Sequence, residues 1–406
     1  MIPREPTPES PFPVVSVGLT DTGDAFAQWH RCGIVSPVHF SCSTTSPPKK
    51  DLQMSDYRIA FYPGDGIGVD VTIEARKVLR AAEKRFGFTV SAVEFPWGCT
   101  YAAENGGQVC PPDFLETLRN FDAIFMGAVG MPELMPDHVT LIPLIRMRQE
   151  FEQYVCLRPA TLLPGARTPL ADKKPGDIDM VIVRENSEGE YTSMGGHFKQ
   201  NMPGEISIQT AIHTRKGVER ILRYGFELAR TRRSQLAMAT KSNALNYAMV
   251  MWDDVFAKIA PEYPDVESVK FHVDALSMHF VRCPERFDVV VASNLFGDIL
   301  SDLAGALVGS LGLAPSANLN PERAFPSLFE PVHGSAPDIA GQGIANPVAA
   351  IRSAAMMMDF LGETDAADAI EKAVLGSLGD DGAMTPDLGG TATTAEVGDR
   401  IADLLG

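Results

Sequence analysis

The chain has 406 residues, 45% hydrophobic and 21% charged, a globular composition with room for a sizeable core. Its 35 Lys and Arg against 52 Asp and Glu give a net charge of −17, which argues against nucleic-acid binding, because that rests on cationic contacts to phosphate. No apolar run approaches the roughly 18 residues of a membrane helix, and the cysteines (Cys32, Cys42, Cys99, Cys110, Cys156, Cys283) form no C-x-x-C pair, as expected of free thiols in a reducing cytoplasm.

Residues 1–53, with "PREPTPESPFP" and "SCSTTSPPKK", are rich in Pro and Ser and lack a sustained period, so they read as disordered. Two other readings stand beside that one: a transit peptide, against which Glu5, Glu9, Asp21 and Asp24 count, and a spurious extension ahead of a start at Met54. From Tyr57 the chain turns regular. "YRIAFY" reads as a strand, "PGDGIG" as a glycine break, and "VDVTIEARKVLRAAEKRFG" as a helix that stops at its glycine. "FDAIFMGAVG", "DIDMVIVREN" and "RFDVVVASN" repeat the strand theme, and strands alternating with helices predict an α/β fold with a largely parallel sheet. Gly64, Gly66 and Gly68 stand where dinucleotide folds place a phosphate loop, but their G-x-G-x-G spacing is not the fingerprint, and Glu94 falls out of frame. A tight turn built from small residues is the favoured reading.

Three arginines sit beside apolar or turn-forming residues: Arg148 in "RMRQEFE", Arg158 in "CLRP" and Arg184 in "MVIVREN". The planar guanidinium suits paired hydrogen bonds to carboxylates. Singly, each is more often a surface salt-bridge partner; Arg184 is the strongest, because it ends a buried strand where an unpaired cation is costly. Tyr191 follows in a glycine-bordered loop. Lys241 in "AMATKSNAL" and Asp274 in "FHVDALSMHF" each follow an apolar run, and the two could simply pair. Asp298 and Asp302 in "SNLFGDILSDLAG" share one helix face with no basic residue in the stretch, so they need a positive charge from elsewhere. With Asp274 they form an all-oxygen set suited to Mg²⁺ or Mn²⁺, and no zinc-type His/Cys spacing is present. The polar segment "FEPVHGSAPDIAGQGIANP" is long for a connection. There Gly334 and Ser335 permit close approach of a ligand, and Asp338 offers a carboxylate for the two hydroxyls of a ribose.

These motifs, in this order from Tyr57 onward, resemble the metal-dependent, NAD(P)-linked β-decarboxylating 2-hydroxyacid dehydrogenases, which include the isocitrate, 3-isopropylmalate and tartrate/D-malate enzymes. The resemblance implies the two-domain fold of that family, which is not the usual Rossmann fold. Residues 54–153 with 308–406 would form a large nucleotide-binding domain, and 154–307 a small domain carrying the dimer interface. It implies a homodimer with shared active sites. Asp298 and Asp302, with Asp274 from the partner subunit, would hold Mg²⁺ or Mn²⁺; Arg148, Arg158 and Arg184 would clamp the substrate. Lys241, also from the partner, would be the base, and Tyr191 the acid. Glu330, His333, Gly334, Ser335, Asp338 and Asn346 would line the nucleotide site, with Glu330 on the nicotinamide side. Asp338 and Ile339 stand where NADP-using relatives carry a lysine and a tyrosine, so NAD is expected. A need for K⁺ is left open.

The stretch "PDHVTLIPLIRMR" discriminates within the family. Isocitrate enzymes carry a Ser and an Asn six and four residues before the first clamp arginine, where this chain has Ile142 and Leu144. Isopropylmalate enzymes carry a Glu seven residues before it, where this chain has Leu141. "PDHVTL" and "SANLNPERAFPSLFEPVHG" look most like the tartrate/D-malate branch, with isopropylmalate as the alternative. A non-catalytic regulatory homologue is disfavoured, because such chains usually lose a metal ligand or the lysine–tyrosine pair.

Overall fold

The computed structural model of the protein describes residues 55–379 and 383–406, so the readings of residues 1–53 lie outside the described residues. The described strands are β1 (Asp56–Gly64), β2 (Thr89–Glu94), β3 (Ala123–Ala128), β4 (Val155–Thr161), β5 (Asp179–Glu185) and β6 (Gly195–Phe198). They continue with β7 (Ile206–Gln209), β8 (Gln235–Thr240), β9 (Glu267–His272), β10 (Val289–Ala292), β11 (Pro315–Leu319) and β12 (Ser327–Pro331). Ten of them form one sheet in the order β2-β1-β3-β12-β11-β4-β5-β10-β8-β9, and β6 pairs with β7 alone. Neighbours run parallel except at β12–β11, β11–β4 and β4–β5. Those three reversals leave β5, β10, β8 and β9 running opposite to β2, β1, β3 and β12. The largely parallel α/β sheet expected from the sequence is present, and its strand order is not that of a Rossmann fold.

Chain order explains the layout. Strands β1, β2 and β3 are laid down first. The chain then crosses to β4 and builds β5, β8, β9 and β10 before β11 and β12 return to the middle. Each strand alternates its side chains between two faces. On one face Ile59, Phe61, Phe125, Leu157, Val183, Met238, Val291, Ala317 and Phe329 join a single apolar layer covered by the helices Ile67–Phe86, Arg215–Arg230, Ala248–Ile259 and Val348–Leu361. On the other face the apolar residues divide. Ala60, Tyr62, Ile124, Met126 and Leu328 pack with Leu144 and Met147. Ala160, Ile182, Ala239, Val290 and Ala292 pack with Leu276, Phe280, Leu300 and Ala304. The strip between these two clusters is where the polar side chains of β4, β5, β11 and β12 lie. Among the described residues no helix is long and apolar enough to cross a membrane.

The helix read from "VDVTIEARKVLRAAEKRFG" spans Ile67–Phe86 and ends at Gly87 in the left-handed conformation, φ 78°. Ahead of it the glycine turn is a packing device. Gly66 has φ 56°, and a Cβ there would lie 2.1 Å from the Ser335 carbonyl oxygen. That oxygen accepts from the Ile67 amide at 2.8 Å, while the buried Asp65 carboxylate accepts from the Cys99 amide at 2.7 Å and the Gly130 amide at 3.0 Å. The turn after β1 therefore seats the late polar loop.

Gly66→Ala should lower the thermal midpoint far more than Gly87→Ala. Both impose a positive φ on alanine, a cost of about 1–2 kcal/mol. Only Gly66→Ala adds a clash with backbone, since nothing lies within 4 Å of a Cβ at Gly87. Paired thermal denaturation scans check this; equal shifts would refute the close approach.

Candidate active site

The polar strip is built by register. Arg184 of β5 stands opposite Cys156 of β4, which stands opposite Asn318 of β11; Glu330 of β12 stands opposite Ser316. Arg158 lies two residues beyond Cys156 and so faces the same way. The helix Ile142–Glu150 brings Arg148 to one side of the strip, and the helix Asn294–Leu307 brings Asp298 to the other. The arginines that looked singly like surface partners are all buried: Arg148 is 7%, Arg158 8% and Arg184 1% exposed.

Each guanidinium finds acceptors for part of its donors, while Nε of Arg148 and of Arg158 has none among the described residues. Arg148 Nη2 donates to Glu330 Oε1 at 3.0 Å, and Asn318 Nδ2 donates to the same oxygen at 2.8 Å. Arg158 Nη1 donates to Asp298 Oδ1 at 3.1 Å and to Ser301 Oγ at 2.8 Å. Arg184 pairs through Nη1 with Asp298 Oδ1, while its Nε and Nη2 both donate to Asn294 Oδ1, at 3.0 and 2.6 Å. Tyr191 Oη donates to Asp298 Oδ2 at 2.6 Å, with Arg184 over its ring at 5.3 Å. Part of the positive charge that Asp298 lacked in its own stretch is thus supplied by β4 and β5.

The electrostatics differ from one charged group to the next. Burial, then the neighbouring Arg158 cation, draws Arg184 down to about 10, and Asp298 offsets this only in part. Burial would raise Asp298, but Arg184 and Arg158 prevail and hold its carboxyl below the usual range. Burial, with Asp298 nearby, holds Asp302 above that range against the pull of Arg158. Burial, then the Asp298 carboxylate, pushes Tyr191 up to about 12, so its phenol keeps its proton at neutral pH. Burial would lower Arg158, but Cys156, Asp298 and Glu330 prevail and hold it above its usual range, so Arg184 is the arginine whose charge the site supports least.

Asp302 is the open member of the acidic pair. Its side chain is 62% exposed, and its one ion pair, to Arg158, is long at 3.7 Å. Two carboxylates on one helix face are hard oxygen donors of the kind a divalent cation prefers. Asp274 does not join them. The sequence placed it in an apolar setting, but it is exposed in the first turn of the helix Val273–Arg282, where its Oδ1 accepts from Lys241 Nζ at 2.8 Å. Among the described residues no three His, Cys, Asp or Glu side chains of one chain converge on a metal position.

The late-loop residues follow β12, the strand that carries Glu330. Ser335 is buried, with its Oγ donating to the Gly130 carbonyl. His333 Nδ1 donates to the Gly334 carbonyl at 2.9 Å, Nε2 has no partner among the described residues, and burial pushes its imidazole down. Gly334 has open space where a Cβ would stand, and Asp338 is exposed. Asn346 is held within the fold: Nδ2 donates to Asp387 Oδ2 at 3.0 Å, and Oδ1 accepts from the Val348 amide at 3.0 Å. Leu144, one of the two residues read as replacing the isocitrate signature, packs into the core; Leu141 and Ile142 are exposed, and Leu141 and Ile145 precede Arg148 by helical spacing.

Asn294, Ser301 and Asn318 were not singled out in the sequence, where single polar residues carry no spacing signal. Asn294 also donates through Nδ2 to the Glu188 carbonyl at 2.8 Å, so it ties Arg184 to the Tyr191 loop. Asn294→Ala would leave two guanidinium N–H groups without their acceptor, a loss of about 1–3 kcal/mol. A lower thermal midpoint and a severalfold higher KM for the anionic substrate should follow. An unchanged KM would mean that Asn294 does not orient Arg184 toward substrate.

Comparison with known proteins agrees with this geometry. Residues 58–401 match the family model described as isocitrate/isopropylmalate dehydrogenase. The chain is 52% identical over 359 residues to D-malate dehydrogenase [decarboxylating] of Escherichia coli, covering 87% of this chain and 99% of that protein. It is 51% identical to the tartrate dehydrogenase/decarboxylase of Pseudomonas putida, covering 86% and 98%. Among solved structures, isocitrate dehydrogenase from Methylococcus capsulatus superposes with a TM-score of 0.77 at 39% identity, covering 86% of this chain and 99% of that one. Family membership implies NAD(P) and a divalent cation. The family model and these relatives show that the chain belongs to the isocitrate/isopropylmalate dehydrogenase family.

Proposed function

We propose that the chain is an NAD-dependent, divalent-metal-dependent dehydrogenase that oxidises and decarboxylates a four-carbon 2-hydroxy diacid, D-malate or tartrate. The observation that carries this reading is the strip of three buried guanidiniums, two of which keep an Nε without a partner among the described residues, with apolar Leu141 and Ile145 preceding Arg148 by helical spacing. It suits two carboxylates and offers no donor for a third. The names of relatives about 50% identical point the same way.

Arg148, Arg158 and Arg184 hold the substrate carboxylates by charge-assisted hydrogen bonds. Lys241 Nζ takes the 2-hydroxyl proton as C2 is oxidised. Tyr191 Oη, protonated at neutral pH, delivers a proton to the carbon left when CO₂ departs. Asp298 and Asp302 would hold Mg²⁺ or Mn²⁺, which when bound supplies a Lewis acid for the substrate oxygens. His333 Nε2 and the open approach at Gly334 suit a dinucleotide, and Asp338 favours NAD because a carboxylate repels a 2′-phosphate. Asn346 would shape that site from behind.

Lys241 and Asp274 pair with each other, which fits a dimer in which each subunit lends them to the other's site. Met278 and Val281 on the helix Val273–Arg282, Ile299, and Phe198, Ile206 and Ile208 of β6–β7 are exposed apolar residues suited to that interface. In this reading residues 54–153 and 308–406 bind nucleotide, and 154–307 carries the dimer contacts. The two separate apolar clusters on one sheet face support the division.

Reduction of NAD should be faster by tenfold or more in kcat/KM with D-malate or tartrate than with 3-isopropylmalate or isocitrate, at matched Mn²⁺. EDTA should abolish it, and NADP should serve less well. Isocitrate would place a carboxylate against leucine and isoleucine, a loss of several kcal/mol. Isopropylmalate is the closer competitor, because the same side chains could hold its branch at about 0.8 kcal/mol per methylene. A tenfold lead for isopropylmalate would make that the substrate.

The shared site has its own check. Lys241→Met and Arg148→Ala chains, each inactive, should regain activity when co-expressed, because one site of each heterodimer would hold both intact residues. Heterodimers that form without activity would place the whole site in one subunit.

A further inference from the structure

Lys241 projects from a turn just past β8, and the residues on either side of it are held by one carboxylate. Thr240 Oγ1 donates to Asp253 Oδ1 at 2.7 Å, and Ser242 Oγ donates to Asp253 Oδ2 at 2.8 Å. Lys270 of β9 pairs with the same Oδ2. Asp253 stands on the helix Ala248–Ile259, whose rotation is set by Trp252, wholly buried, and by Val255 and Phe256. Burial works against its charge, but donation from Lys270, Thr240 and Ser242 holds the carboxyl below its usual range.

Strand alternation gives this clamp its meaning. Leu236 and Met238 of β8 face the apolar layer that contains Trp252, and Thr240 continues that face. Ala237 and Ala239 face the layer that contains Leu276 and Leu300, and Lys241 continues that one. The two hydroxyls are therefore drawn to one side of the sheet while the ammonium reaches Asp274 on the other. A lysine carries about 2 kcal/mol of side-chain rotamer entropy, and a loose turn would let the amine wander.

We propose that Asp253 is the positioning residue for Lys241, gripping Thr240 and Ser242 so that the amine is presented at a fixed point. The proposal rests on the reading of Lys241 as the base. Misplacing a reacting group by an ångström can cost about 10²-fold. Asp253→Ala should therefore lower kcat by about ten- to a hundredfold with D-malate, NAD and Mn²⁺, with KM for D-malate changed less than threefold. Ser242→Ala and Thr240→Val, which each remove one grip, should show smaller losses of the same kind, and Thr240→Ser should restore kcat. The decisive measurement is the double variant. If Asp253 acts through Lys241, adding Asp253→Ala to Lys241→Ala should cost no further rate. A further tenfold loss in that background, or an equal rise in KM with kcat intact, would overturn the proposal. Full kcat in Lys241→Ala alone would instead refute the reading of Lys241. Should Asp253→Ala fail to fold by circular dichroism, Ser242→Ala on the half-exposed turn carries the test, and unchanged kcat there together with Thr240→Val overturns the proposal.

Discussion

Three guanidiniums buried side by side on one face of a sheet form the constraint around which this molecule is arranged. Moving a single ion out of water costs several kcal/mol even after relaxation. Here Arg148, Arg158 and Arg184 are each nearly inaccessible. Glu330 and Asp298 supply charge, and Asn294 and Ser301 supply neutral acceptors. These partners come from β12 and from a helix of the other sheet half, so neither half can satisfy the arginines by itself. The central strands run antiparallel where the outer ones run parallel, and this is what brings both sets of partners to a single strip.

That arrangement also explains why the strip is polar in a sheet whose inner strands are otherwise largely apolar on both faces. A parallel strand covered on both sides reads as a continuous hydrophobic run, as Val289–Ala292 does. β4 departs from that pattern, with Cys156 and Arg158 on one face and Val155 and Leu157 on the other. The apolar layer behind it is unbroken, and the layer in front is interrupted. The gap in the hydrophobic cover is filled by the charged groups and the acceptors that hold them.

Much of this was legible in the sequence. Strand and helix periods gave the α/β class, and the long ordered motifs gave the family and its named side chains. The burial of the arginines was legible only for Arg184, because its strand is uniformly apolar, whereas Arg148 sits on a helix whose apolar face is weak. Asn294 and Ser301 were missed because their role depends on register between β4, β5 and a helix more than a hundred residues later. The glycine turn was read as a tight turn, yet its contact with Ser335 spans some 270 residues and leaves no local mark. Leu144 misled by proximity: counted along the chain it neighbours the pocket, but the helical turn points it into the core.

The order in which strands enter the sheet has a consequence for how the chain is made. Residues 155–307 supply β4, β5, β8, β9 and β10 as one uninterrupted segment, so their pairings can close while the chain is still being synthesised. β1, β2 and β3 also pair with one another, but the layers around them are completed late. β3 waits for β12, and the helix Ile67–Phe86 waits for Thr394–Leu405, against which Lys77 pairs with Asp399 and Arg85 donates to the Leu405 carbonyl. The segment that carries β1, β2 and β3 is thus completed only when the last helix arrives. Until then the apolar face of β1 and β3 and the free edge of β3 stay open, and exposed apolar surface of this kind is what chaperones engage. Truncation of the last helix would therefore strike the first strands, at the opposite end of the sequence.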